Sequence, residues 1–256
     1  MRLRLRHLND IWGDPYQLMN VPDIPLGTVC TDSRKLNCGD FFIPLIGPTF
    51  DGHFYIDDAY RIGVQGTIIS REWLGSVPKD LLHWRVDDTL KAYQDLALLH
   101  RSLFSKPVIA VTGSVGKTTT RELIRSALTS LGEIQTTSQN FNNDIGVPST
   151  LLKTNANHQA IVLEMGMRGL GEIERLTRCS QPDIAIITNI GTAHVELLGS
   201  RKNIALAKCE ITTSLNPDGV VIIQEGDPLL ENVLQRKWEG RIIRVGIDTV
   251  SSHSLN

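Results

Sequence analysis

Thr112-Gly113-Ser114-Val115-Gly116-Lys117-Thr118-Thr119 sets two glycines, a lysine and hydroxyls in the order that cradles a phosphate. At Gly113 and Gly116 the missing Cβ lets backbone N–H groups turn inward around phosphate oxygens, and Ser114 and Val115 between them complete the nucleotide-binding loop. Lys117 can reach β- and γ-phosphates, and Thr118 can ligate Mg2+. Thr119 continues into a helix whose N-terminal dipole favours an anion. The opening glycine of the longer pattern would fall at Val111, so this is the compressed TGxxGKT form. ATP and Mg2+ are the cofactors this chemistry calls for.

Further polar residues stand where they could serve such a loop. Glu164 ends the apolar run Ala160-Ile161-Val162-Leu163; an acid there either holds Mg2+ or is an ordinary solvated residue. Asn189 and His194 lie in the loop after the apolar run 184–187, at the sheet edge where open α/β folds bind ligands. Lys208 sits four residues after Ile204 and three before Ile211, inside an apolar helical stripe. It either snorkels outward or keeps a partly buried amine with a lowered pKa, able to add CO2 as a carbamate suited to a second Mg2+. Asn140, Asn142 and Asn143 crowd one loop, which suits a polar substrate or merely a capping turn.

The elements that must position these groups follow from apolar periodicity. After Pro107 strands and helices alternate: strands at 108–111, 134–137, 160–164, 184–188, 220–224 and 242–245, helices at 118–131, 147–153, 171–178, 200–215 and 228–236. Continuous apolar strands suit a mostly parallel sheet flanked by helices. The first hundred residues predict short strands at 41–43 and 66–69 and a helix from about Asp88 to 104. The predicted fold class is α/β, with a small α/β N-terminal domain at 1–105 and a P-loop central domain at 106–256. Ser105-Lys106-Pro107 punctuates the boundary.

Composition narrows the class. Charge is nearly balanced, 26 Lys+Arg against 28 Asp+Glu, which argues against nucleic-acid or membrane binding through net charge. No apolar run exceeds four residues, so no membrane span is expected, and residues 1–6 lack the apolar block of a signal peptide. The four cysteines form no CxxC pair, so neither zinc nor a disulfide framework is indicated. A cytoplasmic location is expected.

Seven strings together resemble the Mur ligase family, ATP-dependent enzymes that join amino acids or peptides to a UDP-linked muramoyl precursor. They are the phosphate loop at 112–119, NFNNDIGVPSTLL at 140–152, EMGMRGLGEI at 164–173, TNIGTAH at 188–194 and AKCEI at 207–211, with TDSRK at 31–35 and DGH at 51–53. The wording is nearest to members that add D-alanyl-D-alanine to UDP-N-acetylmuramoyl-tripeptide in peptidoglycan synthesis. The resemblance implies that Lys117 and Thr118 bind ATP phosphates and Mg2+, and that Glu164 and His194 help hold the metals. It matches Lys208 to a carbamylated lysine, which makes Lys117, His194 and Lys208 the implied catalytic set. Asn140, Asn142 and Asn143 would face the substrate and Asn189 the nucleotide. Ser33, Arg34, Asp51, Gly52 and His53 would face the uridine side.

The implied reaction phosphorylates the precursor's carboxylate, and the dipeptide amine then attacks the acyl phosphate. An amino-acid-adding or folylpolyglutamate synthase-like ligase is the neighbouring reading, and a truncated nucleotide-binding remnant the non-enzymatic one. Two features depart from the family pattern: Pro44 in an expected strand, and Gln224-Glu225-Gly226-Asp227 in place of an Asn-Asp-Asp stretch. The family continues through further central strands and a third, Rossmann-like domain; residues 1–256 hold neither, so a C-terminally truncated member is expected, its ligase domain absent or separately encoded.

Overall fold

In the computed structural model, which describes residues 3–16, 21–193 and 195–246, the chain divides into two units, Met1–Leu103 and Phe104–Asn256. The first is built on four short strands: β1 (Val29–Cys30), β2 (Phe41–Phe42), β3 (Gly66–Ser70) and β4 (His83–Val86). They lie in the order β1-β2-β3-β4, every pair parallel. Phe41, Phe42, Ile68, Ile69 and Trp84 are buried on this sheet. Its helices are α1 (Asn9–Trp12), α2 (Ile56–Ile62) and α3 (Thr89–Ser102). In α2, Ile56 and Ala59 pack with Phe42, Ile69 and Leu81. Asp88 caps α3, its carboxylate accepting from Leu90 N–H (2.8 Å) and Lys91 N–H (3.0 Å).

Pro44 causes no break in the ladder. β2 is an inner strand that ends at Phe42, before the proline could cost a hydrogen bond. β4 and α2 escape the periodicity analysis for a physical reason. His83-Trp84-Arg85-Val86 is strand because β3 pairs with it and Trp84 is fully buried. In α2 only Ile56 and Ala59 are buried, too few to make a pattern.

The second unit holds β5 (Val108–Thr112), β6 (Glu133–Thr136), β7 (His158–Glu164), β8 (Ile184–Ile187), β9 (Val220–Gln224) and β10 (Arg241–Val245). Between them run α4 (Lys117–Leu128), α5 (Gly146–Leu152), α6 (Glu172–Ser180), α7 (Val195–Leu198), α8 (Arg201–Cys209) and α9 (Pro228–Gln235). All six strands are parallel, in the order β10-β9-β8-β5-β7-β6. Val108, Ala110, Val111 and Ile161–Leu163 are fully buried, as strands covered on both faces require. Ile124 and Leu128 of α4 pack on Ile109, Val111 and Val162.

This order puts β5 between β7 and β8, and the chain leaves it first to one side and later to the other. The carboxyl end of β5 is therefore a topological switch point, where open α/β sheets form their ligand crevice. The departure at 224–227 is structural: Asp227 caps α9, accepting from Leu229 N–H (3.0 Å) and Leu230 N–H (3.1 Å). Among the described residues no helix is long and apolar enough to cross a membrane.

Candidate active site

The phosphate-binding sequence folds as the turn from β5 into α4. Gly116 caps α4 with a left-handed φ of 82°. Gly113 has φ 150°, and a Cβ there would lie 1.8 Å from Thr188 Oγ1. The loop is gripped from the end of β8. Asn189 Oδ1 accepts from Val115 N–H (3.1 Å), while Asn189 Nδ2 (3.0 Å) and Thr188 Oγ1 (2.6 Å) donate to Val115 O. Ser114 N–H donates to Asn189 O (3.1 Å), and Gly191 N–H to Ser114 Oγ (2.9 Å). Lys117 Nζ donates to Gly113 O (2.9 Å) and lies 3.4 Å from Ser114 O, so the ammonium is held at the mouth of the loop.

A Gly113→Ala variant would force a methyl onto Thr188 Oγ1 in a backbone conformation that alanine rarely adopts. A loss of about 3 kcal/mol of stability is expected, with loss of ADP binding; a melting curve and an ADP titration check both.

Register brings the acid to the loop. β7 pairs with β5 so that Glu164 lies opposite Val111. Glu164 Oε2 accepts from Thr118 Oγ1 (2.8 Å) and Arg121 Nη1 (3.2 Å), and Oε1 accepts from Asn142 Nδ2 (2.9 Å). Its own N–H donates to Thr137 Oγ1 (2.9 Å). A hydroxyl and a carboxylate thus meet at the first turn of α4, a hard-oxygen pair that fits Mg2+. Among the described residues no three His, Cys, Asp or Glu gather as a metal cluster. A cation here would complete its shell with water and nucleotide phosphate, as Mg2+ commonly does.

Lys208 is 2% exposed on α8. Burial, and secondarily the positive charge of Lys117, push its amine down to about 7. No hydrogen bond or ion pair of its side chain is found among the described residues. His194 lies outside the described residues.

The asparagine-rich loop divides its labour. Asn142 holds Glu164, whereas Asn143 Oδ1 accepts from Ile145 N–H (3.3 Å) and Gly146 N–H (3.0 Å) and caps α5. Asn140 is exposed, and its carbonyl accepts from Asn142 N–H (2.8 Å). Thr119 is exposed on α4. The sequence reading missed Arg121 and Thr137. The available signal for Arg121 was its spacing, three residues after Thr118 and so on the same helix face.

In the first unit, Ser33 and Arg34 lie in the 3-10 turn Ser33–Lys35. The Arg34 guanidinium forks onto Asp32 (2.8 and 2.9 Å) and lowers that carboxyl to about 2. Gly52 N–H donates to Leu45 O (2.9 Å). His53 Nε2 accepts from Ser70 N–H (3.0 Å), which leaves Nδ1 to donate to Asp51 (2.6 Å). The buried His53 therefore spends both nitrogens on holding Asp51 and β3.

Residues 111–254 match the Mur ligase middle domain family. The UDP-N-acetylmuramoyl-tripeptide–D-alanyl-D-alanine ligases of Synechocystis sp. and Bacillus subtilis are 43% and 45% identical to the chain over 233 and 204 residues. Those matches take in 90% and 80% of this chain, but 51% and 44% of the relatives. Among solved structures, MurF from Acinetobacter baumannii superposes with a TM-score of 0.87 at 32% identity, over 96% of this chain and 54% of that one. MurF from Thermotoga maritima, solved in complex with ADP, gives 0.77 at 30% identity, over 85% and 50%. The chain spans about half the length of the relatives it matches. With the phosphate loop and its acid at the carboxyl ends of β5 and β7 and a buried lysine on α8, the chain belongs to the Mur ligase family and carries that family's middle domain.

Proposed function

We propose that the protein is an ATP-dependent ligase that adds D-alanyl-D-alanine to UDP-N-acetylmuramoyl-tripeptide in peptidoglycan precursor synthesis, in the cytoplasm. The observation that carries the reading is the meeting of Thr118 and Glu164 at 2.8 Å beside the phosphate loop. The choice among ligases rests on relatives of that name at 43% and 45% identity. In the proposed reaction a terminal carboxylate oxygen of the precursor attacks the γ-phosphorus, and the bond to the ADP oxygen breaks. The dipeptide amine then attacks the acyl carbon, phosphate leaves, and the amine gives up its proton.

Each residue has a task in this reading. Gly113, Ser114, Val115, Gly116 and Thr119 frame the phosphates, Lys117 neutralises their charge, and Thr118 and Glu164 hold Mg2+ with His194. When bound, Mg2+ neutralises charge developing on the transferred phosphoryl group. Lys208, neutral for much of its time near pH 7, adds CO2 and loses a proton to become a carbamate anion. Asn189 keeps the loop in shape for the nucleotide, and Asn140, Asn142 and Asn143 shape the precursor's loop. Residues 1–105 take the UDP end through Ser33, Arg34 and Asp51, with Gly52 and the buried His53 fixing Asp51 in place rather than touching the nucleotide, and 106–256 the ATP. A C-terminal domain, on this or a separate chain, presents the dipeptide.

A panel of amine acceptors tests the choice of ligase. ADP release from ATP and UDP-N-acetylmuramoyl-tripeptide is expected with D-alanyl-D-alanine. Release only with single amino acids, or only with folate and glutamate, overturns it.

A further inference from the structure

The least expected feature of the site is a buried guanidinium. Arg121 is 5% exposed on its side chain and faces a carboxylate that is 2% exposed. Its Nη1 donates both to Glu164 Oε2 (3.2 Å) and to the backbone carbonyl of Gln139 (3.0 Å). The other side of the guanidinium rests on Glu122 Oε1, at 3.2 Å from Nε and 2.8 Å from Nη2. Gln139 has φ 48°, a left-handed conformation uncommon for a residue with a Cβ. A cation on its carbonyl offsets part of what that conformation costs.

We propose that Arg121 is a positioning residue that clamps the 137–143 loop to Glu164. One nitrogen joins the loop backbone, the carboxylate and the helix that carries Lys117 and Thr118. Asn142 reaches Glu164 Oε1 from the loop while Thr118 and Arg121 reach Oε2 from α4. Both oxygens are thereby aimed, and a buried negative charge is balanced, independently of any cation. The functional half of this inference rests on the assignment of Glu164 to Mg2+; the clamp itself does not.

The geometry separates a clamp from simple packing. The two hydrogens of Nη1 serve one acceptor each. A lysine ammonium has three and can serve both, whereas methionine fills similar volume and serves neither. The test compares Arg121→Lys and Arg121→Met by amide hydrogen exchange of the nucleotide-free protein, and by Mn2+ binding in the presence of ADP. Arg121→Met is expected to raise exchange across 138–146 by about tenfold or more. It is also expected to weaken Mn2+ binding by about tenfold, as loss of a partner that orients a metal ligand does. Arg121→Lys is expected to stay within about threefold of wild type in both.

Methionine that behaves as wild type in exchange, or lysine as loose as methionine, overturns the clamp. Faster exchange in Arg121→Met with unchanged Mn2+ affinity upholds the clamp and overturns the assignment of Glu164 to the cation. If Arg121→Met does not fold, Arg121→Met/Glu164→Gln removes the unpaired charge. Exchange across 138–146 must still rise in that variant, because Gln139 O has lost its donor; unchanged exchange overturns the proposal.

Discussion

A Lys208→Ala variant is expected to form no acyl phosphate, with ligase turnover reduced by about 10^3-fold or more and no recovery on adding bicarbonate. The expectation follows from burial. The amine lies inside the α8 face, shielded from water, and the positive charge of Lys117 acts on it as well. Bicarbonate cannot help because the nitrogen that would take up CO2 is gone. Acyl phosphate is measured by trapping with hydroxylamine, and an unimpaired variant refutes the role.

The same lysine leaves a signature in stability. Its folded value is about 7 against an ordinary 10.5, so between those limits the unfolded chain binds more protons and stability rises with pH. The cost of burying the amine is fully present below pH 7 and is relieved as pH climbs towards 10.5. At about 1.4 kcal/mol per unit the gap amounts to at most about 5 kcal/mol. Lys208→Met is therefore expected to be more stable than wild type at pH 6 and to lose most of the rise between pH 6 and 9. Urea unfolding at the two values checks this.

Lys117→Ala is the second large effect. Lys117 Nζ sits on Gly113 O at the loop mouth, where it can swing from that carbonyl to phosphate without moving α4. The loop's shape does not depend on it, since Asn189, Thr188 and Gly191 hold Ser114 and Val115 from β8. Alanine should therefore leave the fold intact, with a melting temperature near wild type. It should reduce phosphoryl transfer by about 10^3-fold through loss of charge stabilisation at the transferred group. A variant that melts early would instead make Lys117 a structural residue.

Much of the second unit was legible because its signals are local. The strand at 220–224 is found as predicted, and the phosphate loop stands between strand and helix as the motif requires. Failures occur where a distant partner decides. The helix predicted over 200–215 ends at Cys209 and tightens into a 3-10 turn at Glu210–Thr212. There the Glu210 carboxylate accepts from Gly171 N–H (2.7 Å) and Glu174 N–H (3.3 Å) at the start of α6, a contact no periodicity encodes. Burial raises the pKa of that carboxyl.

Arg121 went unseen because a charge on a helix ordinarily means a solvated face; only the fold supplies Gln139 O and Glu164 as its partners. Asn142 and Asn143 are adjacent and chemically identical. One orients the acid and the other caps a helix, which only the turn between them settles.

The central claim is that ATP activates a carboxylate by phosphoryl transfer at the loop between β5 and α4. The most direct measurement uses UDP-N-acetylmuramoyl-tripeptide labelled with 18O in its terminal carboxylate, with ATP, Mg2+ and D-alanyl-D-alanine, and the protein in the full length its cell makes. One 18O should appear in each phosphate released with ADP, the other remaining in the new amide. Unlabelled phosphate, or label carried off in AMP, contradicts the account.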